Sequence, residues 1–219
     1  MKHQNAAEEA AWLLQLSEGE RAALFPVILR EYNPDYPRLF AAERDKLMQL
    51  AGGVAVRIRH IGSTAVLGLI SKPTVDILLE IKPETDIKAF IAALPPDEYI
   101  CLTGEALTMP TPPPHLMILK GYTKKGFAKD VFHIHVRYVG DWDEPRFCEY
   151  LATHPKATAE YAALKRELSE RYKFDRDGYT AAKGAFICAV TARARAERGA
   201  VKSASVPLID TTVLFCAVL

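Results

Sequence analysis

Charge imbalance is the first thing this sequence lacks. Lys and Arg number 28 and Asp and Glu 27, for a formal net charge of +1. That balance gives no support to a broad nucleic-acid or membrane surface. Long hydrophobic runs are missing too: no apolar stretch reaches the ~18–20 residues of a membrane-spanning helix. Cysteine is sparse. Cys101, Cys148, Cys188 and Cys216 are widely separated and form no C-x-x-C pair. This argues against structural zinc and a disulfide framework, and for reduced, buried thiols. Neither G-x-x-x-x-G-K-[ST] nor H-E-x-x-H occurs, so a Walker A loop and a zinc-hydrolase helix are excluded. The polar, acidic start MKHQNAAEEA does not read as a secretory signal. A cytoplasmic location is expected.

What is present is an ordinary globular composition in 219 residues, enough for one large domain with a buried core. Residues 5–16 (NAAEEAAWLLQL) are helix-prone, and Ser17-Glu18-Gly19-Glu20 fits a capping box that opens a second short helix. PVILREY reads as a first strand. RLFAAERDKLMQL is helical, started by Pro37 and closed by Gly52-Gly53. VAVRIRHI alternates strictly, with Val54, Val56, Ile58 and His60 on one face and Ala55, Arg57, Arg59 and Ile61 on the other.

TVDILLEI is a further strand, followed by a helix over DIKAFIAAL with Thr85 in the capping position. YICL is a short strand. HLMILKGY and KDVFHIHVRYV form a hairpin across TKKGFA. The remainder is helical: EPRFCEYLAT, PKATAEYAALKRELSERY and YTAAKGAFICAVTARARAE. The expectation is α+β: a mixed β-sheet core with flanking helices and a C-terminal helical run. A helical extension covers 1–24, the core domain 25–198 and an appended tail 199–219.

The chemistry concentrates in HIGSTAVLGLISKPTVDILLEI, residues 60–81. Glycine at a strand end permits a tight turn, and exposed N–H groups with the Ser63 and Thr64 hydroxyls can grip phosphate oxygens. Asp76 then interrupts an apolar strand, where a carboxylate is costly unless it meets a metal, a cation or several donors. A Gly-Ser turn followed by Asp-x-Asp/Glu is a nucleotidyltransferase pattern, but position 78 is leucine. Glu80 is no substitute: it lies ~13 Å along the strand from Asp76, while paired catalytic metals stand ~3.5–4 Å apart.

F-H-I-H-V places His133 and His135 on one strand face, able to ligate metal, contact phosphate or exchange protons. His60 is expected in the same neighbourhood. Lys72, Lys165 and Lys183 supply positive charge. Lysines on helices are ordinarily solvated, but the small residues around Lys183 leave room for a ligand.

These residues also carry a resemblance. H-I-G-S-T-A-V-x-G-L-x-x-K-P-x-x-D-I, Y-N-P-D-Y-P-x-x-F, F-H-I-H-V, F-C-E-Y-L-x-x-H-P, Y-A-A-L-K and Y-x-x-x-K occur in order across residues 26–195. Together they resemble GrpB-family proteins, a bacterial group placed in the nucleotidyltransferase superfamily. The resemblance implies a nucleotidyltransferase-like core with C-terminal helices. It marks Gly62, Ser63, Lys72, Asp76, His133, His135, Lys165, Tyr179 and Lys183 as positions to watch. Three positions depart from the pattern: Leu67 stands in place of proline, Tyr36 of tryptophan and Cys148 of arginine.

Two functions remain open at this level. In one, the protein moves NMP from an NTP to a small acceptor. Asp76 and His135 would hold Mg²⁺ or Mn²⁺, Gly62, Ser63 and Thr64 would grip phosphates, and Lys72 or Lys183 would offset developing charge. In the other, catalysis is absent and a nucleotide or phosphorylated small molecule is only bound, or the chain serves as an accessory protein-interaction domain. Asp76, His135 and Lys183 are the candidate catalytic residues. Gly62, Ser63, Thr64, Lys72, His133, Lys165 and Tyr179 are the candidate ligand contacts.

Overall fold

The computed structural model describes residues 12–104, 107 and 111–201. Residues 12–15 are helical, whereas the earlier part of the expected first helix and the appended tail beyond Val201 lie outside the described residues. Helix α1 (Glu18–Leu24) carries the capping box in full: Glu20 N–H donates to Ser17 Oγ, and Ser17 N–H donates to Glu20 Oε2 at 2.9 Å. Helix α2 (Tyr36–Ala51) carries Pro37 in its first turn and is closed by Gly52 at φ 54°. PVILREY is not a strand. Its backbone makes one isolated bridge, Arg30 to Ser71, and Val27 N–H donates to the Lys173 carbonyl. Extended chain with its hydrogen bonds given to loops has no ladder to join.

Five strands follow: β1 (Ala55–Ile61), β2 (Val75–Ile81), β3 (Ile100–Thr103), β4 (Leu116–Thr123) and β5 (Gly126–Tyr138). Their order in the sheet is β1-β2-β5-β4-β3. Only β2 and β5 are parallel; the other neighbours run antiparallel. Helix α3 (Ile87–Ala93) is capped by Asp86, whose carboxylate accepts from Lys88 N–H and Ala89 N–H. Thr85, the expected cap, instead donates its hydroxyl to the Lys82 carbonyl.

Helices α4 (Asp143–Thr153), α5 (Pro155–Arg171), α6 (Arg176–Ala182) and α7 (Gly184–Val201) complete the chain. The sequence reading joined the last two. The structure breaks them at Lys183, which caps the end of α6. Cys101 and Cys148 are free thiols. Cys188 is disulfide-bonded, against the expectation of four reduced cysteines.

Strand alternation sorts the core into two layers. Val75, Ile77, Leu79 and Ile81 of β2 and Phe132, Ile134 and Val136 of β5 pack toward α2 and α3. The opposite face carries Leu78 with Ile61, covered by Phe147, Leu151, Tyr161, Ile187 and Val190 of α4, α5 and α7. Asp76, His133 and His135 share that second face by parity, at the end of the sheet that the helices leave partly uncovered.

Candidate functional site

Residue 62 needs glycine for two reasons at once. Its φ is +71°, and a Cβ there would stand 2.5 Å from Asp76 Oδ2. The turn Ser63–Ala65 that follows is short and tight. Cys148 supports it from α4, its Sγ donating to the Gly62 carbonyl at 3.4 Å. Cys148 therefore holds the backbone of the turn. Burial pushes its thiol up to about 12, which keeps it un-ionised.

Asp76 and the two histidines come together as expected. Parallel pairing sets Asp76 opposite His133 and Leu78 opposite His135. His133 Nδ1 and His135 Nε2 each lie 3.5 Å from Asp76 Oδ1. Burial opposes ionisation of Asp76, but bonds from the two imidazoles overcome it and hold the carboxyl below the usual carboxylate range. Burial drives His133 down to about 4, with Asp76 opposing. It is therefore a neutral ring near pH 7.

From His133 the network runs outward. Tyr122 Oη lies 2.7 Å from His133 Nε2, and Arg176 Nη2 donates to Tyr122 Oη at 3.2 Å. Arg176 also donates to the Phe25 carbonyl. Strict alternation would put Tyr122 on the far face with Lys120, which donates to Glu43 of α2. A bulge after Lys120, at Gly121 with φ +85°, turns it to the cavity side.

The lysines are the larger surprise. Lys165 on α5 is only 2% exposed. Its Nζ donates to Ser63 Oγ at 3.1 Å and to the Ile70 carbonyl. The ammonium lies 4.7 Å from the Tyr161 ring centroid. Burial, with the charges of Lys183 and Arg166, brings Lys165 down to about 6. Lys183 is 3% exposed and sits 4.5 Å over the Tyr179 ring, with Lys72 5.5 Å from the same ring. Burial brings Lys183 down to about 8 although Asp76 opposes the shift, and it lowers Lys72 well below the usual lysine range, helped by Arg176 and Lys183. The break between α6 and α7 is what aims Lys183 inward.

All of these line one cavity of about 270 Å³. Gly62, Ser63, Lys72, Asp76, His133, His135, Lys165, Tyr179 and Lys183 are among its walls. Thr64 and His60 are not. The Thr64 hydroxyl donates to the Thr74 carbonyl and meets His60 Nε2 at 3.0 Å. His60 itself stacks on Phe40 of α2, across the sheet from Asp76. Both buttress the loop. Glu80 is likewise structural, fully buried and bound by Arg57, Arg59 and Gly140 N–H.

The cavity also has members that sequence reasoning missed: Arg176, Tyr122 and Tyr161. Tyr161 was within reach, since it precedes Lys165 by four residues on one helix and therefore shares its face. Arg176 and Tyr122 carry no local signal.

A second metal beside Asp76 does not fit these residues. Leu78, in the second-carboxylate position, is 0% exposed and packed beneath α4 and α5. Among the described residues no group of three or more His, Cys, Asp or Glu is arranged to hold a metal ion. Mg²⁺ favours oxygen donors, and among the described residues the inner wall offers one carboxylate, that of Asp76, beside buried or half-buried basic side chains.

Comparison with known proteins agrees with the fold and the motifs. A family model described as GrpB protein matches residues 26–193. The Glutamate-rich protein GrpB of Alkalihalophilus pseudofirmus is 30% identical over 187 residues, covering 80% of this chain and 96% of that protein. A UPF0157 protein of Pseudomonas aeruginosa is 32% identical over 165 residues; the match covers 75% of this chain and 66% of the relative's length. The crystal structure of conserved protein GrpB from Enterococcus faecalis aligns with a TM-score of 0.66 over 78% of this chain and 99% of that one, at 23% identity. That last similarity is one of fold. Among the described residues no helix is long and apolar enough to cross a membrane.

Proposed function

The chain belongs to the GrpB family, and from its cavity we propose that it binds a phosphorylated small molecule, a nucleotide among the candidates, without a metal pair. One observation carries this reading. Lys72, Lys165, Lys183 and Arg176 converge on a single cavity in which, among the described residues, Asp76 is the one inner acid. The other acids in the lining, Glu18, Asp175 and Asp177, are exposed, where water screens them.

Burying several like charges is unfavourable in the free protein. An anion that enters relieves that repulsion and returns protons to Lys72 and Lys183, which burial has partly neutralised, so affinity is concentrated in multiply charged ligands. Ser63 adds a hydroxyl beside Lys165, and Tyr179 adds an aromatic wall between Lys72 and Lys183. Leu102, Met117 and Leu119 give the other end of the cavity an apolar surface for the ligand's body.

Nucleotidyl transfer is disfavoured by Leu78, whose place in the core leaves no room for the second carboxylate. The deciding experiment is thermal melting with inorganic phosphate, pyrophosphate, ADP and ATP, with and without Mg²⁺, beside a label-transfer assay. The expected result is stabilisation by di- and triphosphates without added metal. It should be lost in Lys183→Met and weaken as pH rises through about 8, where Lys183 loses its proton. Melting curves that ignore every phosphate would refute the reading. Metal-dependent label transfer would replace it with catalysis.

A further inference from the structure

Ser63 is held in a way that anion binding does not require. Its Oγ lies 3.1 Å from Lys165 Nζ. Among the described residues Lys165 has no carboxylate partner: its contacts are Ser63 Oγ, the Ile70 carbonyl and the face of the Tyr161 ring. A permanently charged lysine buried in this way would be expected to carry an acid beside it. The groups that act on its charge are Lys183 and Arg166, both cationic. Ser63 itself is partly exposed and opens on the cavity.

We propose that Ser63 is a nucleophile and Lys165 its general base, a pair that hydrolyses an ester whose alcohol or acyl part carries a phosphate or carboxylate. A serine hydroxyl is a weak nucleophile until an adjacent base takes its proton, and a neutral lysine amine serves that role in unrelated folds. Burial brings Lys165 down to about 6, so its amine is largely unprotonated at neutral pH. The 3.1 Å contact then reverses direction: Ser63 O–H donates to the Nζ lone pair, while an amine N–H keeps its bond to the Ile70 carbonyl.

The step balances without a metal or oxidant. Ser63 Oγ bonds to the ester carbonyl carbon as its proton passes to Lys165 Nζ. The bond from that carbon to the leaving oxygen breaks, and the proton on Nζ goes to the departing alcohol. Water then attacks the acyl-serine and gives a proton to Lys165. The carbon–Oγ bond breaks, and Oγ recovers that proton. The sum is ester plus water giving acid plus alcohol.

The choice of an anionic ester rests on the phosphate-binding reading above, since Lys72, Lys183 and Arg176 would hold the remote charge. The nucleophile itself does not rest on it. Tyr161 packs its ring face against Lys165 Nζ and so helps to position the amine.

The test treats the full chain with an alkyl fluorophosphonate and follows intact mass, peptide mapping and rate against pH. One adduct per chain on Ser63 is expected, none in Ser63→Ala. The rate should rise with pH and level off with a midpoint near the Lys165 value of about 6. Lys165→Arg places a permanently charged guanidinium that cannot act as the base, and in a folded variant should slow labelling by roughly 100-fold or more. Labelling that climbs with hydroxide without levelling, labelling elsewhere, or an unchanged rate in a folded Lys165→Arg protein would each overturn the proposal. If that variant does not fold, the pH profile of the parent decides alone. Pyrophosphate melting curves on the same preparations separate the two readings: Ser63 labelling without pyrophosphate stabilisation keeps the nucleophile and removes the anion site, and the reverse removes the nucleophile.

Discussion

Gly62 and Asp76 pack so closely that a methyl group at position 62 would stand 2.5 Å from Asp76 Oδ2. The turn that presents Ser63 and the strand that presents Asp76 are therefore one unit. Its shape depends on the absence of a side chain at one position.

Gly62→Ala tests that unit. It adds a Cβ at φ +71°, where only glycine is unstrained, and drives it into Asp76. A loss of about 1–3 kcal/mol in urea unfolding is expected. Because part of the cost is the clash, Asp76→Ala in the same chain should recover a measurable share, giving a non-additive double-mutant cycle. Strict additivity would show that backbone strain accounts for the whole cost.

Glu80 separates the core from the cavity. Its carboxylate is fully buried and accepts from Arg57, Arg59 and Gly140 N–H. Glu80→Ala should destabilise by about 3 kcal/mol, since it strips two arginines and a backbone donor of their acceptor. Pyrophosphate should stabilise the variant as much as the parent, because Glu80 lies ~13 Å along β2 from Asp76. Loss of that stabilisation would tie Glu80 to the ligand.

Acid stability should report two buried histidines. Burial brings His60 and His133 down to about 4 from an ordinary value of 6.5. Unfolding exposes rings that take up protons more readily, so their contribution is fully present above about 6.5 and is lost as pH falls toward 4. Asp76, held low in the folded state, adds its own loss further into acid. Melting temperature measured from pH 7 to pH 4 should drop, and the drop should be shallower in His60→Gln and in His133→Gln. Equal slopes in parent and variants would assign the loss to other groups.

Much of the fold was legible because it is written in local patterns. Alternation marked β1 and β2, the Ser17–Glu20 box marked α1, and the hairpin of β4 and β5 followed from two strand patterns flanking a short turn. The Gly62, Ser63 and Asp76 group was legible for the same reason: a glycine turn and a carboxylate in an apolar strand are unusual in themselves. Thr85 and PVILREY misled because local propensity was decided by partners elsewhere, Asp86 for the helix cap and the Ser71 and Lys173 carbonyls for the extended chain.

By itself, then, the sequence determined the α+β class, the order of most elements, the family, and the face that Asp76, His133 and His135 share, because periods of 2 and 3.6 residues are properties of the chain. Only the tertiary structure decided that Lys165 is buried against Ser63, that Lys183 turns inward at a helix break, that Arg176 and Tyr122 extend the network from His133, and that Thr64 and His60 brace the loop without lining the cavity. The longest of these contacts join distant parts of the chain: Ser63 and Lys165 stand 102 residues apart, and Tyr122 and Arg176 stand 54 apart. Burial then sets their chemistry, since removing a charge from water costs far more than any local sequence preference.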